Sequence, residues 1–153
     1  MKLFISIILL ILSGLIGCYY SNKLVKRRIF YESMREFNKY FKSEVSFSKN
    51  SILTIINDRN INDDFYKLLK NNLKIAESDI VIRYLTKDEF NFLTNYAENL
   101  SNRDAETLIK FLEQNDGIID TYLVEAKENE IKYKSLYVKL GILFGLIIFI
   151  LLL

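Results

Sequence analysis

Apolar residues fall along this chain in three regimes. Leu3 to Tyr20 carries no charged residue, Leu140 to Leu153 carries none either, and the long stretch between them alternates charged and apolar positions. As a helix, Leu3–Tyr20 reaches roughly 27 Å at about 1.5 Å per residue, close to the thickness of a bilayer core. Leu140–Leu153 alone reaches only about 21 Å, so the pattern predicts a second span that begins near Leu136, with Lys139 snorkelling to the interface. The expected division is an N-terminal transmembrane helix over residues 1–20, a helical domain over 21–135 and a C-terminal transmembrane helix over 136–153.

Between the spans the apolar period is helical. Phe30, Met34, Phe37, Phe41 and Val45 recur at intervals of three and four, which predicts that the first helix continues to about Phe47 with its other face basic. Asn50 reads as the N-cap of a short helix bearing Ile52, Leu53, Ile55 and Ile56, followed by a polar turn over 57–62. A further helix starts after Asn62, where Asp63 and Asp64 complement its N-terminus and Phe65, Leu68, Leu69 and Leu73 form its stripe. Ile80–Leu85 has the composition of a strand but no partner strand, and reads as a turn or loop. Thr86-Lys87-Asp88-Glu89 is a capping box opening a helix with Phe90, Leu93, Tyr96, Ala97 and Leu100.

After Ser101-Asn102 the pattern restarts at Ala105 and runs through Leu108, Leu112, Ile119, Tyr122, Ala126 and Tyr133 into the second span. It approximates a heptad seam with Asn115 and Asn129 at two seam positions. Asn115-Asp116-Gly117 is a candidate break, since glycine weakens a helix interior by roughly 1 kcal/mol relative to alanine. The fold class expected is all-α: a helical cytoplasmic bundle between two terminal transmembrane helices.

Charge fixes the expected orientation. Lys2 alone precedes the first span, whereas Lys23, Lys26, Arg27 and Arg28 follow it, and Lys132, Lys134 and Lys139 precede the second. Cytoplasmic flanks carry the excess of Lys and Arg, so both flanks place the body in the cytoplasm and both termini outside. Tyr19, Tyr20, Tyr133 and Tyr137 fall where amphipathic rings favour the interface. A competing reading takes Leu15-Ile16-Gly17-Cys18 as a lipoprotein signal, which would put the body outside the cell; the sparse basic n-region and Tyr19 directly after the cysteine weigh against it. Lys23–Lys49 contains eight basic residues against three acids, and Asp88–Glu130 three basic residues against eleven acids. The asymmetry has two readings, as solvated faces that pair weakly within the chain or as surfaces for anionic lipid at Lys23–Arg28 and for a protein partner on the acid-rich helix.

Each span also carries small residues one turn apart. Gly141 and Gly145 form a G-x-x-x-G, which reads either as a helix-packing face in lipid or as ordinary transmembrane composition; for Ser13 and Gly17 the compositional reading is preferred.

The residue types present narrow the chemistry. The chain has no histidine, no proline and a single cysteine, Cys18. Nucleophilic triads, thiolate metal cages and disulfide frameworks are thereby removed. No glycine-rich phosphate loop occurs, and the paired acids Asp63-Asp64 and Asp88-Glu89 read as helix-start charges. The expectation is a protein that is not an enzyme and takes no cofactor, metal or small-molecule substrate, and whose net charge of +2 does not suit nucleic acid.

Several ordered landmarks resemble the stage III sporulation protein AB family of endospore-forming bacteria. Leu136-Tyr137, Leu140-Gly141, Leu143 and Gly145-Leu146 match the family's closing L-Y-x-x-L-G-x-L-x-G-L pattern. Leu100 and Asp104 match an L-G-x-x-D element, and Glu44-Val45 with Phe47 an E-I-x-Y element followed by Asn50-Ser51-Ile52 in place of T-P-L. The chain departs at Ser101, Ser51 and Ser48, where the family carries glycine, proline and glycine. The spans make membrane lipid an expected partner, and the resemblance implies a non-enzymatic part of the mother cell–forespore channel, likened to secretion systems, working with other sporulation channel proteins and a cytoplasmic secretion-type ATPase. Glu44 and Asp104 are then candidates for partner docking, or simply helix-end residues. The alternatives are a lipid-anchored extracytoplasmic binding protein and a membrane adaptor outside sporulation.

Overall fold

The computed structural model of the chain describes residues 2–47, 62–72, 82–100 and 104–152. Among these residues there are four α-helices and no strand: α1 (Lys2–Phe47), α2 (Asp63–Asn72), α3 (Lys87–Leu100) and α4 (Ala105–Leu152). The fold class is all-α, as the periodicity indicates. The short helix expected after Asn50, the position of Leu73 and the interruption at Ser101-Asn102 lie outside the described residues, while the restart at Ala105 is the first residue of α4. Ile82–Leu85 is a turn, closed by Leu85 N–H donating to Ile82 O at 3.2 Å.

The two long helices run unbroken for 46 and 48 residues. α1 ends at Phe47, where the apolar stripe stops. α4 passes through Asn115-Asp116-Gly117 without a break. The glycine penalty of roughly 1 kcal/mol is small beside the burial of Leu112 and Ile119 on either side of it. Asn115 also turns its amide back to donate to Phe111 O at 2.7 Å, within its own helix.

The shorter helices begin on side-chain caps. Asn62 Oδ1 accepts from the backbone N–H of Asp64 at 3.1 Å and of Phe65 at 3.3 Å, making Asn62 the N-cap of α2. At α3, Thr86 N–H donates to Glu89 Oε2 at 2.7 Å, and Glu89 N–H donates to Thr86 Oγ1 at 3.2 Å. That reciprocal pair is the expected capping box.

The chain forms two compact units, Met1–Arg28 with Glu125–Leu153, and Ile29–Val124. In the first, the start of α1 lies antiparallel to the end of α4: Gly145 faces Leu10, Gly141 faces Ser13 and Gly17, and Arg28 pairs with Glu130. In the second, Phe30, Met34, Phe37 and Phe41 of α1 meet Phe65, Leu68 and Leu69 of α2, Leu93, Tyr96 and Leu100 of α3, and Leu112, Ile119 and Leu123 of α4. Phe65 packs edge-on against both Phe30 and Phe37, with ring centroids 5.6 and 5.3 Å apart. Each large side chain buried this way contributes about 1.5–3 kcal/mol, so this aromatic and aliphatic core dominates the unit's stability.

Candidate functional site

Among the described residues, no group of three potential metal ligands comes together. The candidate site residues fall in surfaces and in contacts between helices, and they divide between the two units.

In the unit formed by Met1–Arg28 and Glu125–Leu153, small residues set how closely the helices approach. A Cβ added at Gly17 would meet Tyr137 O at 2.6 Å and Gly141 Cα at 3.2 Å; one at Gly141 would meet Ser13 O at 2.8 Å and Gly17 Cα at 3.0 Å. Gly145 lies against Leu10, whose backbone a Cβ would meet at 3.1 Å. Ser13 Oγ donates to Gly141 O at 2.5 Å, a side-chain bond across the pair. Gly141 and Gly145 thus pack against α1 of the same chain. Ser13 and Gly17, expected to reflect composition alone, form the opposing surface. Gly14, three residues from Gly17, has no atom within 4 Å of its Cβ position.

The outer faces of these helices are apolar. Phe4, Ile8, Leu12 and Leu15 on α1 and Leu143, Phe144, Ile147 and Ile150 on α4 are exposed, and both helices are long and apolar enough to cross a membrane. Tyr20 and Tyr137 bring their rings within 6.0 Å where the uncharged stretches end, and Lys23 Nζ lies 5.0 Å from the centre of the Tyr19 ring. Cys18 is exposed.

The basic cluster read as one group is divided by the structure. Arg27 is buried and donates to Glu125 Oε1 at 3.0 Å, and Arg28 Nε lies 2.5 Å from Glu130 Oε2. Lys134 Nζ donates to the other oxygen of Glu130 at 3.1 Å. Burial acts to raise the pKa of Glu130, but the hydrogen bonds from Arg28 and Lys134 outweigh it and hold the carboxyl below its ordinary value. Lys26 and Lys139 are exposed and Lys23 is half-buried.

In the Ile29–Val124 unit, polar side chains close to the core bind one another. Asn38 is fully buried; its amide nitrogen donates to Leu112 O at 3.1 Å and to Asp116 Oδ1 at 2.6 Å, and its Oδ1 accepts from the Tyr96 hydroxyl at 2.6 Å. Lys42 Nζ donates to Asp116 Oδ2 at 3.2 Å. Burial, aided by the Asp116 charge, pushes the Tyr96 hydroxyl well above the usual tyrosine range, so it stays a donor. A second contact joins α1 to α3: the Tyr31 hydroxyl donates to Glu89 Oε1 at 2.8 Å, so both oxygens of the buried capping carboxylate are engaged. Arg35 Nε stands 2.7 Å from Asp120 Oδ1. The basic flank of α1 therefore does meet the acidic flank of α4 within this unit.

Asp104 is the N-cap of α4. Thr107 N–H donates to its Oδ2 at 3.2 Å, and the Thr107 hydroxyl bonds its Oδ1. Those bonds lower its pKa, Thr107 being the largest cause. Glu44 lies half-buried near the end of α1. Neither Asn38 nor Tyr31 is marked by apolar periodicity; the available signal is only their position beside the stripe of Phe30, Met34, Phe37 and Phe41.

These features define an all-helical protein whose two terminal helices pair closely through small residues, present apolar exteriors, and carry charged residues where the apolar stretches end. The sequence model of stage III sporulation protein AB matches residues 57–153, and the chain belongs to that family, as its closing landmarks indicate. Leu100, Asp104 and the residues from Leu136 to Leu146 fall within the match; Glu44, Val45 and Phe47 fall before it. No curated protein and no solved structure matches the chain. Membership implies a role in sporulation and other sporulation proteins as partners.

Proposed function

We propose that the chain is a non-enzymatic membrane component of the mother cell–forespore channel or secretion-like assembly, anchored by both terminal helices, with its body in the cytoplasm and both termini outside. The body docks a partner, a secretion-type ATPase being the expected one. The reading is carried by the family match combined with the apolar exteriors of the α1 start and the α4 end. Contiguous exposed apolar surface on this scale marks a membrane or a protein interface. A role in positioning rather than catalysis is supported by the body's buried polar groups, where Asn38, Tyr96, Tyr31 and Glu89 serve contacts between helices and a helix cap.

Retention of the first span is favoured over a lipidated Cys18. Cleavage before Cys18 would discard Ser13 and Gly17, and with them the surface on which Gly141 rests. The test is recovery of a tagged full chain from membranes of sporulating cells. The proposal expects co-isolation of the ATPase together with other sporulation membrane proteins, an intact Met1, and a body protected from protease added outside; a body cleaved in intact cells would refute the orientation.

A further inference from the structure

Beside the Tyr20–Tyr137 contact, an open groove of about 550 Å³ is lined by Ser21, Glu130, Ile131, Lys134, Ser135 and Val138. Its wall is mainly apolar: Val138 is half-buried, and Ile131 is 83% exposed although charged residues surround it in sequence. Ile131 is thus an exposed apolar side chain at the edge of charged surface. The groove's polar lining includes Ser135 and Lys134, both exposed, and the buried Ser21.

Location and charge select the occupant. Val138 and Ser21 each adjoin one of the paired tyrosines that mark the end of the uncharged segments, which is the depth of lipid headgroups if those segments span. Across Tyr20–Arg28 and Glu125–Lys139, eight basic residues face three glutamates, so the surroundings favour an anion. Glu130, the acid in the groove, has both oxygens occupied by Arg28 and Lys134 and does not present a free carboxylate.

We propose that this groove is a headgroup site for an anionic phospholipid. The exposed ammonium of Lys134, which spends one donor on Glu130 and keeps the others, and the exposed Ser135 hydroxyl meet the phosphodiester, and Ile131 and Val138 take the glycerol and the first part of an acyl chain. The proposal rests on the reading of the terminal helices as membrane spans, and adds to it a lipid preference placed at named residues away from Arg27.

The test uses the full chain in nanodiscs of phosphatidylcholine with or without phosphatidylglycerol, with bound lipid counted by native mass spectrometry after mild release. Wild-type protein retains phosphatidylglycerol in preference to phosphatidylcholine. Lys134→Ala cuts that preference about fivefold, the effect of one lysine near an anionic surface. Ser135→Trp fills the groove without changing charge and also lowers retention, while Lys110→Ala, whose lysine pairs with Glu106 in the other unit, does not. Equal retention of the two lipids by wild type overturns the proposal. So does a preference that Ser135→Trp leaves intact, because it would then come from diffuse charge. Carbonate extraction of the same chain from cell membranes separates the two levels: a chain that is released refutes the spans themselves, and a chain that stays without lipid preference refutes only the site.

Discussion

Gly141→Ala adds a single methyl group at a point where two helix backbones touch. The new Cβ would lie 2.8 Å from Ser13 O and 3.0 Å from Gly17 Cα. Both are backbone atoms, so no side-chain rotation relieves the contact and the helices must move apart. The 2.5 Å bond from Ser13 Oγ to Gly141 O lengthens with that separation. Overpacking of this kind costs about 1–3 kcal/mol and a hydrogen bond between membrane helices averages about 0.6 kcal/mol, while the better helix propensity of alanine returns roughly 1 kcal/mol, which leaves an expected net loss of about 0.5–2.5 kcal/mol. Gly14→Ala is the matched control. The same methyl group meets nothing within 4 Å there, and alanine is the better helix former by roughly 1 kcal/mol, so no destabilisation is expected. Both variants are measured in mixed micelles titrated with sodium dodecyl sulfate, using energy transfer between probes on α1 and α4 to follow separation of the pair. The expected result is an earlier midpoint for Gly141→Ala and an unchanged or later one for Gly14→Ala. Equal midpoints, or a more stable Gly141→Ala, would show that the glycines do not set the approach of these helices.

Asn38→Leu leaves the buried Tyr96 hydroxyl without its acceptor and is expected to cost about 1–3 kcal/mol in denaturant unfolding; adding Tyr96→Phe should recover most of that loss, and simple additivity of the two variants would refute the coupling. Glu130 has a folded pKa below its ordinary 4.5, so its contribution to stability is present above pH 4.5 and fades as pH falls through the lowered value; amide exchange around Arg28 and Glu130 should accelerate in that acid window, and Glu130→Gln should abolish the pH dependence. An unchanged acid profile in Glu130→Gln would assign the effect to other groups.

Period and capping chemistry make the helices legible in the sequence. The stripe from Phe30 to Phe41 carries α1 to Phe47, and Thr86 with Glu89 marks the start of α3, because both signals are local. Asn38 was not legible for the converse reason: its partners Tyr96 and Leu112 are 58 and 74 residues away, and a polar residue beside an apolar stripe looks solvated until those partners are placed. The candidate break at Asn115–Gly117 did not form, since burial of Leu112 and Ile119 outweighs a local propensity of about 1 kcal/mol.

The same limit governs the site. Gly14 and Gly17 look alike in the sequence, yet only Gly17 meets Gly141, because which face of α1 is covered depends on α4. Likewise, Lys23 to Arg28 reads as one basic group, but Arg27 and Arg28 engage Glu125 and Glu130 while Lys26 remains exposed. Asp104 stands in a family landmark, and in the structure it caps α4.

The central claim, a doubly anchored sporulation protein acting without catalysis, is tested most directly by counting heat-resistant spores from a strain lacking the chain, complemented with the full chain or with a form from which both apolar segments have been removed. The account predicts a large loss of spores on deletion, recovery with the full chain, and no recovery with the form lacking its anchors. Normal spore numbers in the deletion strain would contradict it.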